Sequence, residues 1–288
     1  MASAALHRRL TALQADLARL KAPTNPTLAR LRTNPTRILS DAGFIPDPWQ
    51  AELLTEPASR TLLCCSRQSG KSQTVAGLAL LTALTEPGSL ILLLSPTMRQ
   101  SGELFRKLAN LWQCLGRPLA HPRKRENATR LELVNGSRIE SLPGSESTVR
   151  SFSAVRLLVI DEAARTADEL YAAVRPMLAV SHGKLVALST PFGKRGWFYE
   201  SWENGRDWKR VRITAEQCPR ITPEFLEEER LALGDLWWRQ EYEVVFGDVV
   251  SSLFRTEDVQ ATLNQSMEPF VCQPQAESKT GDKVEWQM

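Results

Sequence analysis

Residues 65–72 read CSRQSGKS. Gly70-Lys71-Ser72 matches the end of a phosphate-binding loop, whose full pattern is Gly, four residues, then Gly-Lys-Ser or Gly-Lys-Thr. Cys65 stands where the pattern has its first Gly, which removes one permissive backbone position from the expected loop. At average residue usage the tripeptide arises by chance roughly once per 2000 positions. Only the surrounding sequence can decide whether this one binds a nucleotide.

Working outward, RTLLCCS (60–66) reads as a buried strand running into the loop, and KSQTVAGLALLTAL (71–84) as the helix beyond it. A strand, this loop and a helix in that order are what the motif requires. Main-chain N–H groups from Ser66 to Ser72, including those of Arg67, Gln68, Ser69 and Gly70, are expected to converge on phosphate oxygens at the positive end of that helix. Lys71 is expected to span the β- and γ-phosphates, and the Ser72 hydroxyl to ligate Mg²⁺. SLILLLS (89–95) is a continuous apolar run between turn signals, as in a parallel-sheet strand covered on both faces. AVRLLVIDEAAR (154–165) is another such run, and it places Asp161 at the strand's carboxyl end. Asp161 there can hold Mg²⁺ through water, and Glu162 can orient and deprotonate an attacking water. Taken alone, the two acids also fit the first turn of a helix. Joined to the upstream Lys loop, they read as the second half of one ATP site.

A third element is ALSTPFG (187–193), which puts Ser189 and Thr190 at the end of the next strand. Hydroxyls at that point can bond the γ-phosphate or Glu162 and report hydrolysis to a mobile segment. The alternative is an ordinary Ser-Thr-Pro turn. Strands alternating with helices imply a mostly parallel sheet with helices on both faces. RLELVNGSRIESLPG (130–144) carries a hairpin signal around Asn135-Gly136, and DWKRVRI (207–213) alternates like an edge strand. TMRQSGELFRKLANLWQCLG (97–116) and ADELYAAVRPML (167–178) read as helices, and the stretch 222–247 as two helices with Thr222 as cap and Pro223 at the first position.

SRQSGKS, LLVIDEAA and LSTPFGKRGWFYESW, in this order, resemble the ATPase domain of the large terminase subunit, the DNA-packaging motor of tailed bacteriophages and prophages. DPWQAELL resembles that family's adenine-side glutamine motif, with Gln50 at the matching position. SPTMRQSGELF and NGSRIESLPGSESTVRSFSA also match family segments, and the resemblance covers residues 35–255. An Arg in the loop and a missing first Gly are both usual in the family, so the oddity at Cys65 supports the assignment. Ser151 departs from the Gly that often follows Arg150, which puts the role of the 143–153 loop in question.

The resemblance implies an α/β fold, a P-loop NTPase of the additional-strand type with a mostly parallel sheet, plus a small helical subdomain. It implies ATP and Mg²⁺ as bound groups and hydrolysis of ATP to ADP and phosphate. It also implies double-stranded DNA, a portal protein on a procapsid and a small terminase subunit as partners, with a homo-oligomeric ring at work in the bacterial host cytoplasm. Arg67 is placed to reach the γ-phosphate in cis, with Arg150 the next candidate; the alternative for Arg67 is a surface cation that only steers phosphate. The expected organisation is an N-terminal amphipathic helix and Pro-rich linker (1–34), the ATPase domain (35–250) and a C-terminal tail (251–288). Large terminases usually carry a nuclease domain whose first strand ends in Asp. No such strand follows residue 250, so no nuclease activity is expected of this chain. Two other readings compete with the packaging motor. One is a helicase of related fold, disfavoured because no second ATPase-like half with an arginine motif is found. The other is a non-hydrolysing, truncated prophage assembly protein, disfavoured by the intact Lys71, Asp161 and Glu162.

The bulk composition sets wide bounds. The 288 residues carry a net charge of +3, with 42% hydrophobic and 24% charged residues, ordinary for a globular chain. No apolar run approaches the roughly 18 residues of a spanning helix, so no membrane association is expected. The start, MASAALHRRL, lacks a secretory core; it faintly resembles a transit peptide, but its amphipathic pattern continues well past that stretch. The five Cys show no disulfide spacing, and Cys64-Cys65 in an apolar run read as buried thiols. Leu6, Leu10, Leu13, Leu17 and Leu20 form one helical stripe over 2–21. PTNPT (23–27) and TNPT (33–36) then break the chain. HPRKRE (121–126) and KRVR (209–212) are basic clusters that either touch DNA phosphates or are solvated charge. Trp237 and Trp238 read as packing residues, and the polar tail as disordered.

Overall fold

The computed structural model describes residues 25–121, 127–144, 149 and 151–247. The readings made for the Leu stripe, for Arg150, for residues 122–126 of the first basic cluster and for the tail lie outside these residues.

Seven strands form one sheet among the described residues: β1 (Arg60–Cys65), β2 (Leu90–Ser95), β3 (Arg130–Glu132), β4 (Arg138–Pro143), β5 (Leu157–Asp161), β6 (Lys184–Ser189) and β7 (Lys209–Ile213). Their order is β3-β4-β2-β5-β6-β1-β7. Every pair is parallel except β3 and β4. β6 separates the loop-bearing β1 from the acid-bearing β5, so the sheet has the additional-strand arrangement of a P-loop NTPase.

The apolar runs follow from coverage on both faces. Leu63, Leu93, Val159, Val186 and Leu188 pack into one core. Their chain neighbours Leu62, Leu92, Leu94, Leu158, Ile160 and Ala187 point to the other, as a period of two demands. The first core is closed by five helices: α1 (Pro26–Thr33), α2 (Arg37–Ser40), α3 (Pro48–Thr55), α4 (Lys71–Thr85) and α5 (Met98–Cys114). α4 is apolar nearly all round because it lies under the others, with Val75, Ala76, Ala79, Leu80 and Ala83 fully buried. α5 is half-exposed and keeps a single buried stripe, Leu104, Phe105, Leu108, Leu111 and Trp112. The second core takes α6 (Asp168–Val174) and α7 (Gly196–Glu203), where Trp197 stacks on Tyr171 at 4.1 Å.

The edges behave as their patterns foretell. In β7, Arg210 and Arg212 are exposed while Ile213 is buried. The hairpin turns at Asn135-Gly136 and pairs Leu131 with Ile139; Asn135 Nδ2 donates to the Ala83 carbonyl at 2.8 Å, which ties the turn to the end of α4. α8 (Pro223–Glu241) starts at the Thr222 cap and is broken at Gly234, at φ 71° and ψ 161°, into the two helical pieces expected. Trp238 is buried and Trp237 half-exposed, so only one of the pair packs.

One reading is corrected. The stretch 23–36 does not break the chain throughout. Pro26 opens α1, where its missing N–H costs nothing, and the Asn25 side chain caps the turn by accepting from the Thr27 N–H at 3.0 Å. Leu31 is fully buried in the first core, so the folded body begins before residue 35. The second basic cluster makes structural bonds while Arg210 and Arg212 stay exposed. Lys209 bonds Glu52 at 2.6 Å, Arg210 caps carbonyls of Ser201 and Trp202, and Arg212 reaches the Glu243 and Val244 carbonyls. Among the described residues no helix is long and apolar enough to cross a membrane.

Candidate nucleotide site

The loop after β1 is built by three local constraints. Cys65 is the last residue of β1, paired in register with Ile213 and fully buried. An extended position has no need of Gly, which answers the missing first Gly. The left-handed residues of the loop are Gln68 (φ 60°) and Gly70 (φ 84°). A side chain at Gly70 would be strained by this backbone, and its Cβ, 2.7 Å from Gln50 Nε2, would also push Gln50 aside. α4 begins at Lys71 and turns its N-terminus toward the loop.

The loop differs from the expected cradle at its first two residues. The Ser66 N–H donates to the Ile213 carbonyl at 2.8 Å and the Arg67 N–H to the Glu241 carbonyl at 3.4 Å. Those two donors are occupied, because β7 and the end of α8 lie against the loop. The Ser66 carbonyl in turn accepts from Ser69 Oγ at 2.9 Å and from Lys71 Nζ at 3.4 Å. Ser66 therefore braces the loop from behind. A cavity of about 600 Å³ opens on its other side, lined by Arg67, Gln68, Gly70, Lys71 and Ser72 together with Glu162 and Thr190.

The acids and hydroxyls arrive from the carboxyl ends of β5 and β6, the end of a parallel sheet where ligands bind. Asp161 closes β5 and is buried. Desolvation, then the neighbouring Glu162 charge, push its carboxyl up to about 6 against the pull of Lys71. Glu162 holds a left-handed backbone, φ 51° and ψ 42°. A non-Gly residue pays of order 1 kcal/mol for that conformation, a kind of strain that clusters at functional sites. Glu162 lines the cavity, and Ser189 Oγ lies 3.5 Å from its Oε2. Ser189 and Thr190 are both buried. Arg67, Gln68, Lys71, Ser72, Glu162 and Thr190 thus share one cavity, with Asp161 and Ser189 buried at the strand ends beside it. Ser66 faces away, and the Ser69 hydroxyl is turned back to the Ser66 carbonyl.

Four participants escaped sequence reading. Glu241, buried at the end of α8, accepts from Arg67 Nε at 2.8 Å. Arg165 lies 3.9 Å from both Glu162 and Glu241, with its guanidinium 4.0 Å above the Phe192 ring. Lys107 on α5 also lines the cavity. Arg220 grips Asp47 with both terminal nitrogens, at 2.9 and 2.7 Å. Arg165 stands three residues after Glu162 and was legible from spacing; Glu241 and Arg220 are more than 150 residues from their partners, and no local pattern marks them.

On the other side of Gly70 a second cavity, about 940 Å³, is lined by Phe44, Ile45, Gln50, Gln68, Arg220 and Phe225 among others. It is the more apolar of the two and continuous with the loop, as a base-binding side would be. Gln50 is buried at its wall, with Oε1 accepting the Asp47 N–H at 2.9 Å and Nε2 donating to the Ser69 carbonyl at 3.4 Å. Two thiols on β1 are packing groups. Burial pushes Cys65 up to about 12 and Cys64 well above the usual thiol range, so both stay protonated packing residues.

Comparison with known proteins gives the family and the fold. Residues 62–261 match the family model for the N-terminal part of the T4-like-virus type of terminase large subunit. The terminase large subunit of Escherichia phage T5 is 29% identical over 234 residues, covering 76% of this chain and 52% of that protein. That of Thermus phage G20c is 26% identical over 252 residues, covering 75% of this chain and 52% of that protein. The chain spans about half the length of these curated relatives. The solved ATPase domain of the Thermus phage P74-26 large terminase superposes with a TM-score of 0.62 at 24% identity, covering 73% of this chain and 96% of that one. The large terminase of another thermophilic bacteriophage, solved in complex with ADP, superposes at 0.58 with 13% identity, covering 70% of this chain and 54% of that one.

Proposed function

The chain belongs to the terminase large-subunit family of T4-like-virus type, N-terminal part, and from that premise we propose that it is the ATP-hydrolysing part of a motor that drives double-stranded DNA into a viral procapsid. The observation that carries the reading is the cavity that gathers Lys71, Ser72, Glu162 and Thr190 from three strand ends.

In this reading Gln50 faces the adenine, and the loop from Gln68 to Ser72 holds the phosphates, with Lys71 spanning the β- and γ-oxygens. Mg²⁺ prefers near-octahedral oxygen sites, keeps several waters and takes few protein ligands. The Ser72 hydroxyl and the buried Asp161 carboxylate suit it, and the raised proton affinity of Asp161 is what a nearby dication would reverse. The ion would supply charge neutralisation on the phosphates. Glu162 takes the proton of the attacking water, and Ser189 holds Glu162 in place. Thr190, next along the chain, carries the change at the γ-position into the segment that follows β6. Arg67 leaves Glu241 for the γ-phosphate, where its planar donors meet developing charge.

The resemblance to the family suggests the wider setting. A ring of copies at a portal protein, fed by a small terminase subunit in the host cytoplasm, is the proposed working assembly. Mg²⁺-dependent phosphate release by the purified chain is the test. It is expected in the wild type, to stop on chelation and to be lost in Lys71→Ala. Equal release from wild type and Lys71→Ala would remove the reading.

A further inference from the structure

We propose that Arg220 is a positioning residue of the nucleotide site: it clamps Asp47 and the Ser69–Gly70 peptide so that the loop holds the nucleotide tightly. The inference rests on the ATP reading above and deepens it.

The geometry is a closed circuit through three parts of the chain. Arg220, between β7 and α8, meets Asp47 with both terminal nitrogens at 2.9 and 2.7 Å. Nη2 also donates to the Ser69 carbonyl at 3.1 Å. Asp47 precedes α3 and gives its main-chain N–H to Gln50 Oε1 at 2.9 Å. Gln50 Nε2 returns to the same Ser69 carbonyl at 3.4 Å. Asp47, Gln50 and Ser69 are buried while the Arg220 side chain is 46% exposed, so it is the buried carboxylate and carbonyl for which an unmade bond is expensive. The planar fork of a guanidinium suits a carboxylate held at two points, and an ammonium has no such shape.

Two donors converging on the Ser69 carbonyl fix the direction of that oxygen. A trans peptide is planar, with its N–H opposed to its C=O. Pinning the Ser69 carbonyl toward Gln50 and Arg220 therefore aims the Gly70 N–H away from them, toward the phosphate side. Gly70 has a left-handed backbone and no Cβ, so it has the freedom to turn when the clamp is lost. Arg220 also lines the base-side cavity with Gln50, so one residue sets both the wall for the base and a donor for phosphate.

The test measures binding of a fluorescent ATP analogue (N-methylanthraniloyl-ATP) and steady-state ATP hydrolysis on the full chain. Arg220→Ala is expected to weaken binding and raise KM about tenfold or more, with kcat changed less than about threefold, since Glu162 and Lys71 are untouched. Asp47→Asn should reproduce the loss, and the double variant should be little worse than either single, as for two ends of one interaction. Arg220→Lys keeps the charge without the fork, so most of the loss should persist. If Arg220→Lys restores wild-type affinity, the residue acts as a charge only and the clamp is wrong. Wild-type affinity in both Arg220→Ala and Asp47→Asn would equally overturn it. Should Arg220→Ala fail to fold, Asp47→Asn and Arg220→Lys carry the decision. A wild-type chain that binds no analogue would sink the underlying ATP reading first, a result distinct from either failure.

Discussion

Asp161 is a buried carboxyl at the end of β5. Its carboxyl is raised to about 6 by burial and the Glu162 charge. An acid raised on folding binds its proton more tightly in the native state, so stability falls as pH rises from its unfolded value near 4 to about 6, then levels off. Asp161→Asn keeps an oxygen for the Glu162 N–H, which now bonds Oδ1 at 3.0 Å, and removes the buried charge. The variant should match wild-type stability near pH 4 and exceed it above pH 6 by on the order of 2–3 kcal/mol, while losing hydrolysis. Denaturant melts at two pH values check this; a variant less stable than wild type at pH 7 would contradict it. Arg67 is the other decisive residue. The sequence reading left it open between catalysis and steering. The 2.8 Å bond to Glu241 parks it at the cavity rim. Arg67→Ala should lower single-turnover hydrolysis about 10³–10⁵-fold with ATP affinity much less affected, if it is the main finger. An unchanged single-turnover rate would assign the finger elsewhere. That Lys71, Ser72 and Glu162 would share one cavity, with Asp161 at the end of β5, was legible because the motifs are local. Glu241 and Arg220 were not, because an ion pair between distant segments, a buried carboxylate meeting a part-exposed arginine, leaves no mark in either.

At the scale of elements, what was legible depended on whether one cue had one meaning. The apolar runs of β2 and β5 had only one reading, strands covered on both faces. Asn135-Gly136 likewise yielded its hairpin, though not the fact that β4 joins the main sheet beside β2. Pro had two meanings. Pro26 looked like a breaker and is a helix start, and only the Asn25 cap distinguishes the cases. The consequence is measurable: Leu31 on α1 is fully buried against the first core. Leu31→Ala should destabilise by about 2–4 kcal/mol. A change under about 0.5 kcal/mol would mean that α1 is an attached arm rather than part of the folded body.

Across the whole molecule, the sheet order is what makes a site out of scattered motifs. Chain order alone does not say that β6 lies between β1 and β5; a crossover leaves no local signal. Once β6 is there, Ser189 at its end meets Glu162 from β5, and Thr190 shares the cavity with Lys71 from the loop after β1. The KRVR run bonds carbonyls and Glu52, with Arg210 and Arg212 still exposed. Hydrolysis at this one junction is the central claim, and Glu162→Gln is its most direct probe. The amide keeps the size of the side chain and removes the base. ATP binding should stay within a few-fold of wild type, while single-turnover hydrolysis falls about 10²–10⁴-fold. Hydrolysis by Glu162→Gln at the wild-type rate would contradict the central claim.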